Sequence, residues 1–185
     1  MQASSDAALH DAIWRELGEN SAHNISTGLR IYDEQRNIYL ANHDYDRKHY
    51  AASINKLPVA LLILHDLNRG KLRLDQPLAW SASQRLGGYG DFDKAGAATS
   101  ASLQDVTYDM LNKSGNTAVR VLVAALGGPE RVNARLAAFG TIPNTHLESV
   151  GGGHFYMGYT TATDALWVMA ELALRTPGPN TKCMV

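Results

Sequence analysis

Eight consecutive apolar residues, Leu57 to Leu64, leave a helix no side on which to meet water. Wound at 3.6 residues per turn, the longer segment from Ile54 to Asn68 is apolar on nearly every face, the signature of a helix enclosed by other elements. A chain of 185 residues with 45% hydrophobic and 19% charged content is long enough to wrap one such helix in a single core. Pro58 falls near the first turn, where few intrahelical bonds are lost, and Asn68-Arg69-Gly70 provides the stop.

The start of this helix carries the chemistry. Ser53-Ile54-Asn55-Lys56 places a hydroxyl and an amine three residues apart, and on a helix such residues share one face with Cβ atoms about 5–6 Å apart. A lysine amine works as a base only when its pKa falls, and burial at a helix mouth supplies the desolvation that lowers it. Eleven serines and six lysines make one such spacing by chance about a one-in-three event, so the tetrad needs company. Its bland reading is a serine N-cap followed by a solvated lysine.

The rest of the chain reads as mostly helical. Ala7, Ala8, Ile13, Trp14 and Leu17 recur at helical spacing before Gly18, which predicts an N-terminal helix. Thr27–Tyr32 and Ile38–Asn42, divided by Asp33 to Asn37, predict a hairpin. Gly87-Gly88-Tyr89-Gly90 reads as loop. Ser102-Leu103-Gln104-Asp105 resembles a capping box that opens a helix through Leu111. After a break at Lys113 to Asn116, Ala118, Val119, Leu122, Ala125 and Leu126 form an apolar stripe closed by Gly127-Gly128. Pro129 then starts a helix through Phe139. Thr141 to Tyr159, with three consecutive glycines and no clear period, is expected to be a long irregular loop. Thr161 and Asp164 cap a last helix carrying Ala165, Leu166, Met169 and Leu172, stopped by Pro177 and Pro179.

A formal charge of −1 and a pI near 6.6 argue against a nucleic-acid groove or a polybasic membrane contact and favour a small neutral or mixed-charge ligand. Cys183 is the only cysteine, which excludes an intrachain disulfide and a cysteine-rich metal site. The seven histidines show no metal-ligand spacing, and there is no G-x-S-x-G elbow; His154, in the glycine-rich segment, is the one to test for catalysis. No apolar run reaches the roughly 18 residues that span a bilayer, and Met1 to His10 lacks the basic start and apolar region of a signal peptide. The expectation is a soluble chain, either cytoplasmic or with its leader removed. No metal and no cofactor is expected.

Tyr50-Ala51-Ala52-Ser53-Ile54-Asn55-Lys56-Leu57-Pro58, followed by Gly70-Lys71-Leu72-Arg73-Leu74-Asp75-Gln76-Pro77-Leu78, resembles the active-site helix and following segment of class A β-lactamases and penicillin-binding D,D-peptidases. Met110 to Ala118, containing Ser114-Gly115-Asn116, resembles the second, Ser-Asp-Asn or Ser-x-Asn, motif of that superfamily. Leu126-Gly127-Gly128 and Thr160 to Asp164 stand where it has similar segments. The resemblance implies an α/β (α+β) fold of β-lactamase/transpeptidase type, with a helical domain and the first hairpin of an antiparallel sheet. It implies Ser53 as acylated nucleophile, Lys56 as base, Ser114 as the hydroxyl that protonates the leaving nitrogen, and Asn116 as a holder of Lys56 or the substrate amide. Tyr89 is a candidate for lining the substrate cleft. The substrate would be a β-lactam, a peptidoglycan-like D-Ala-D-Ala peptide or a small ester, met outside the cytoplasm, with no nucleic-acid partner.

The chain departs from the family in three places. Gly115 replaces the aspartate usual in β-lactamases. Gly151-Gly152-Gly153 stands where class A enzymes place the glutamate that activates water for deacylation, leaving Glu148 as a displaced substitute. The third motif, Lys-Thr-Gly or Lys-Ser-Gly, is absent, and Thr181-Lys182-Cys183 does not supply it. The expectation is therefore one partial domain over 1–185, truncated before the C-terminal strands: the N-terminal helix and hairpin in 1–52, a mostly helical part in 53–176, and a tail in 177–185. A competing reading is a non-catalytic protein that binds or senses such ligands without turnover; a helical interaction module with no ligand is a third.

Overall fold

The computed structural model describes residues 8, 11, 15, 27–32, 38–43 and 45–174. Ala8, Asp11 and Arg15 are helical, as the N-terminal spacing predicts, while Ala7, Ile13, Trp14 and Leu17 lie outside the described residues. Strands β1 (Thr27–Tyr32) and β2 (Ile38–His43) pair antiparallel in the register Thr27 to His43 through Tyr32 to Ile38. This is the early hairpin the sequence predicts, one residue longer at its end.

The apolar run becomes helix α1 (Lys56–Asn68), entered through a 3₁₀ turn at Ala52–Asn55. Pro58 is the third helical residue, so its missing N–H is one that would be unpaired in any case. Around α1 stand α2 (Leu103–Asn112), α3 (Asn116–Ala125), α4 (Pro129–Ala137) and α5 (Ala162–Leu174), and α1 touches all four. Its residues Val59 to Ile63 are at most 1% exposed, and they share one core with Leu103, Met110, Leu122, Leu136, Leu147 and Val168. A helix with no polar face has thus found partners on every side. At its far end Asp66 is held by a two-pronged ion pair from Arg135 on α4, at 2.7 and 2.8 Å, which satisfies a carboxylate that is otherwise buried.

Helix starts follow the sequence signals. The Ser102 hydroxyl accepts from Asp105 N–H at 3.1 Å and donates to the Asp105 carboxylate, a variant of the expected box in which the two side chains meet directly. Pro129 opens α4, and the Thr161 hydroxyl accepts from Asp164 N–H at the mouth of α5. Pro177 and Pro179 lie outside the described residues.

The segment expected to be an irregular loop is a second hairpin. Strands β6 (His146–Gly151) and β7 (His154–Thr160) pair antiparallel, and β3 (His49–Tyr50) adds to the other side of β7. A smaller ribbon joins β4 (Pro77–Ala79) to β5 (Ser100–Ser102). Two facts hid the strands in the sequence. The glycines form a tight turn, with Gly152 and Gly153 at φ +60° and +76°, rather than a flexible stretch. The ladder also slips between His146 and Glu148, which breaks a strict two-residue period. Gly158 accommodates that slip: its φ is +63°, and a Cβ there would lie 2.1 Å from the His146 carbonyl oxygen.

Leu62, 1% exposed at the centre of α1, sets the scale of the core. Leu62→Ala is expected to lower unfolding free energy by about 2–5 kcal/mol, read from urea denaturation with an unchanged m-value.

Candidate functional site

The 3₁₀ turn decides where the Ser53 hydroxyl stands. At three residues per turn, positions i and i+3 eclipse, so Ser53 lies directly over Lys56. Ser53 is exposed, whereas Lys56 is 3% exposed, so the hydroxyl faces the surface and the amine lies beneath it.

Lys56 Nζ lies within hydrogen-bond distance of four acceptors that share its protons: Ser53 Oγ at 3.3 Å, Ser114 Oγ at 2.8 Å, Asn116 Oδ1 at 3.1 Å and the Ser114 carbonyl. The two hydroxyls are themselves 2.9 Å apart, closing a triangle of Ser53, Ser114 and Lys56. Burial lowers the Lys56 pKa, and the nearby charges of Asp93 and Asp109 partly oppose that shift. The amine therefore sits below its ordinary 10.5, with a larger neutral share near pH 7 than a surface lysine.

Ser114 reaches the triangle from the turn between α2 and α3. Its φ is +56°, a left-handed backbone that costs a non-glycine residue roughly 1–2 kcal/mol. The turn also presents its carbonyl and hydroxyl to the same amine. Gly115, the residue before α3, has no side chain to cap that helix; Asp93 does so instead, accepting from Asn116 N–H at 3.0 Å and Thr117 N–H at 2.7 Å. Asn116 Nδ2 donates in turn to the Gly87 carbonyl at 3.0 Å, tying the turn to the glycine-rich loop.

Asn55 fixes the other side. Its side chain is 1% exposed, and Nδ2 lies within hydrogen-bond distance of the carbonyls of His146, Met157 and Tyr159. Together with the Ala51 N–H to Gly158 carbonyl bond at 2.8 Å, it moors the serine turn to the β6–β7 hairpin.

Ser53, Lys56, Ser114 and Asn116 are thus brought into one hydrogen-bonded group. Tyr89 stands apart at the tip of the Gly87–Gly90 loop, 89% exposed. Glu148 lies on β6, exposed and opposite Tyr156, and is not hydrogen-bonded into the group. His154 opens β7 with its Nδ1 3.0 Å from Arg120 Nη2. Sequence reasoning missed Asn55, Asp93 and Asp109. Asp109 left a usable signal, because it falls on the buried side of α2 with Val106 and Met110, where an unpaired acid is out of place. Asp93 left only a local one, its acceptance of the Gly90 N–H at 3.1 Å three residues back; its other partners are backbone N–H groups 23 and 24 residues on, which no spacing reveals.

A sequence model of the Beta-lactamase enzyme family matches residues 8–182, and the chain belongs to that family. Its fold is similar to that of a PBP-A variant solved as an acyl-enzyme complex with penicillin G, at TM-score 0.70 and 21% identity over 91% of this chain and 61% of that one. It is also similar to a variant of the class A β-lactamase of the last common ancestor of Gram-negative bacteria, at TM-score 0.72 and 20% identity over 94% and 66%. A β-lactamase from Burkholderia vietnamiensis matches at TM-score 0.71 and 19% identity over 90% and 62%. These likenesses establish a β-lactamase-type fold. The chain spans 61–66% of the length of these three structures. No curated protein sequence matches it significantly. Among the described residues, no helix is long and apolar enough to cross a membrane, and no cluster of three His, Cys, Asp or Glu side chains is placed to hold a metal ion.

The lowered Lys56 pKa has a measurable counterpart in stability. Between its folded value and 10.5 the unfolded chain binds a proton at this residue and the folded chain does not, so raising pH through that window favours the folded state. Unfolding free energy is expected to rise with pH across the window in the parent and to lose that increment in Lys56→Met, as followed by urea titrations at several pH values.

Proposed function

We propose that this chain is a serine hydrolase of the β-lactamase and D,D-peptidase type that forms a covalent acyl-enzyme at Ser53. Its substrates are β-lactams, D-Ala-D-Ala peptides or small esters, met outside the cytoplasm, and residues 1–185 belong to one such domain. The observation that carries the reading is the closed triangle of Ser53 Oγ, Ser114 Oγ and Lys56 Nζ, with contacts of 2.9, 2.8 and 3.3 Å.

A serine hydroxyl is inert at neutral pH without a base, and the neutral share of Lys56 supplies one. The Ser53 proton has two routes to Nζ: directly over 3.3 Å, or through Ser114 over two shorter contacts. As Ser53 Oγ bonds to the substrate carbonyl carbon, the amide C–N bond breaks. Its nitrogen takes a proton from Ser114, which is refilled from Lys56. Asn116 Oδ1 keeps Nζ oriented between the hydroxyls. Tyr89 offers an exposed ring to the substrate side chain.

Deacylation needs a base to activate water. Among the described residues, no carboxylate is hydrogen-bonded to the side chains of Ser53, Lys56 or Ser114, and Glu148 is exposed on β6. This supports a long-lived acyl-enzyme, the behaviour of a penicillin-binding protein rather than an efficient β-lactamase. The likeness to a PBP-A variant solved as an acyl-enzyme with penicillin G supports penicillin as the probe.

Incubation with a fluorescent penicillin should give a protein adduct by mass spectrometry that persists for hours and is lost in Ser53→Ala. Lys56→Ala should slow its formation by about 10²–10⁴-fold. In the parent, the labelling rate should climb with pH through a midpoint below 10.5. Absence of any adduct at high ligand concentration would sink the reading for this chain, and reversible retention without an adduct would point to a binding or sensing protein. Rapid loss of the adduct would overturn the slow-deacylation part alone.

A further inference from the structure

Gly115 occupies the middle of the Ser114-Gly115-Asn116 turn, where the superfamily's S-D-N motif has an aspartate. The space for a side chain there is already taken. A Cβ built on Gly115 would lie 2.0 Å from Asp109 Oδ2, closer than any real Cβ contact. A Cβ on Gly90 would meet the same oxygen at 2.5 Å and the Gly115 Cα at 2.5 Å. One carboxylate, rising from α2, therefore fills a niche walled by two backbones that carry no side chains.

Asp109 binds both walls. Its Oδ1 accepts from Asp91 N–H at 2.6 Å, holding the glycine-rich loop, and its main-chain carbonyl accepts from Gly115 N–H at 3.1 Å, holding the turn. The residue is 3% exposed, and its Oδ2, the oxygen against Gly115 and Gly90, has no hydrogen-bond partner among the described residues. An orphaned buried oxygen persists where the geometry around it is fixed by something else, here the contact of the two backbones. We propose that Asp109 is a positioning residue that supplies from α2 the carboxylate missing at position 115, and that it seats the Ser114–Asn116 turn against the Gly87–Asp91 loop. Gly115, Gly90 and Asp109 form one interdependent set, so an aspartate at 115 fits only when Asp109 is removed.

Burial raises the Asp109 pKa, the charges of Asp91 and Asp93 add to that rise, and the Asp91 N–H bond and the Lys113 charge work against it. Lys56 feels Asp109 in turn: the negative charge raises the amine's pKa against desolvation. Removing that charge while keeping the side chain's shape should therefore move Lys56 titration to lower pH.

Three variants test the set: Asp109→Ala, Gly115→Asp and the double Asp109→Ala/Gly115→Asp. The proposal rests on the acylation reading for one readout, penicillin labelling of Ser53, and not for the other, the urea midpoint. Each single variant should lower the midpoint and slow labelling by about tenfold to a hundredfold. The double should regain the parent midpoint and label within about threefold of the parent. Independent losses that simply accumulate in the double overturn the proposal, as does a Gly115→Asp variant with parental midpoint and labelling. If the parent takes no label, the acylation reading fails while the recovery of the midpoint still decides the set. Asp109→Asn separates positioning from mere support: the lower edge of the pH window over which stability rises should move down while its upper edge stays at the ordinary 10.5, and a lower edge that stays in place overturns the electrostatic half of the role.

Discussion

One ammonium group taken almost wholly out of water organises this site. Removing such a charge from solvent costs several kcal/mol unless oxygens replace the lost hydration. Lys56 recovers its hydration from Ser53, from both the hydroxyl and the carbonyl of Ser114, and from Asn116. Those groups come from two segments some sixty residues apart, so the amine can be buried only if the α2–α3 turn is folded over the mouth of α1. The apolar helix makes this arrangement unavoidable. With no side free to face water, α1 must carry its first turn into the protein, and the lysine at its start goes in with it.

The same burial sets the chemistry. Asp93 and Asp109 are near enough to raise the Lys56 pKa without bonding to the amine, while desolvation pulls the other way and dominates. The balance leaves an amine whose pKa is lowered, the direction in which the proposed base role requires it to move. Asp93 also caps α3, so a carboxylate that stabilises a helix end adjusts the Lys56 amine at the same time. Helix capping and the titration of the buried amine converge on the same few atoms.

Much of this was legible in the residues. The all-round apolar segment 54–68, the proline at the start of α4, the serine cap of α2 and the early hairpin all express local rules that the tertiary structure reinforces. The grouping of Ser53, Lys56, Ser114 and Asn116 was legible through motif order rather than physics, because no local rule brings residue 114 to residue 53. What escaped was long-range. The β6–β7 hairpin was masked by a ladder slip and by turn glycines that resemble loose chain. Asn55 looked like an ordinary residue between a serine and a lysine, yet it moors the serine turn to carbonyls roughly a hundred positions later. Asp109 could have been noticed as an acid on an apolar stripe, but its partner, an absent side chain at Gly115, cannot be read from any spacing.

Ser114's left-handed backbone places the site under opposed selection. Glycine would adopt that conformation without strain but has no hydroxyl to stand between Ser53 and Lys56. An apolar residue at 56 would escape the cost of burying a charge but remove the amine that the proposed acylation needs. The simplest routes to a sturdier protein at these two positions would therefore remove the groups on which the proposed acylation depends, and lineages that drift toward stability here would leave behind a well-folded relative with an empty hand.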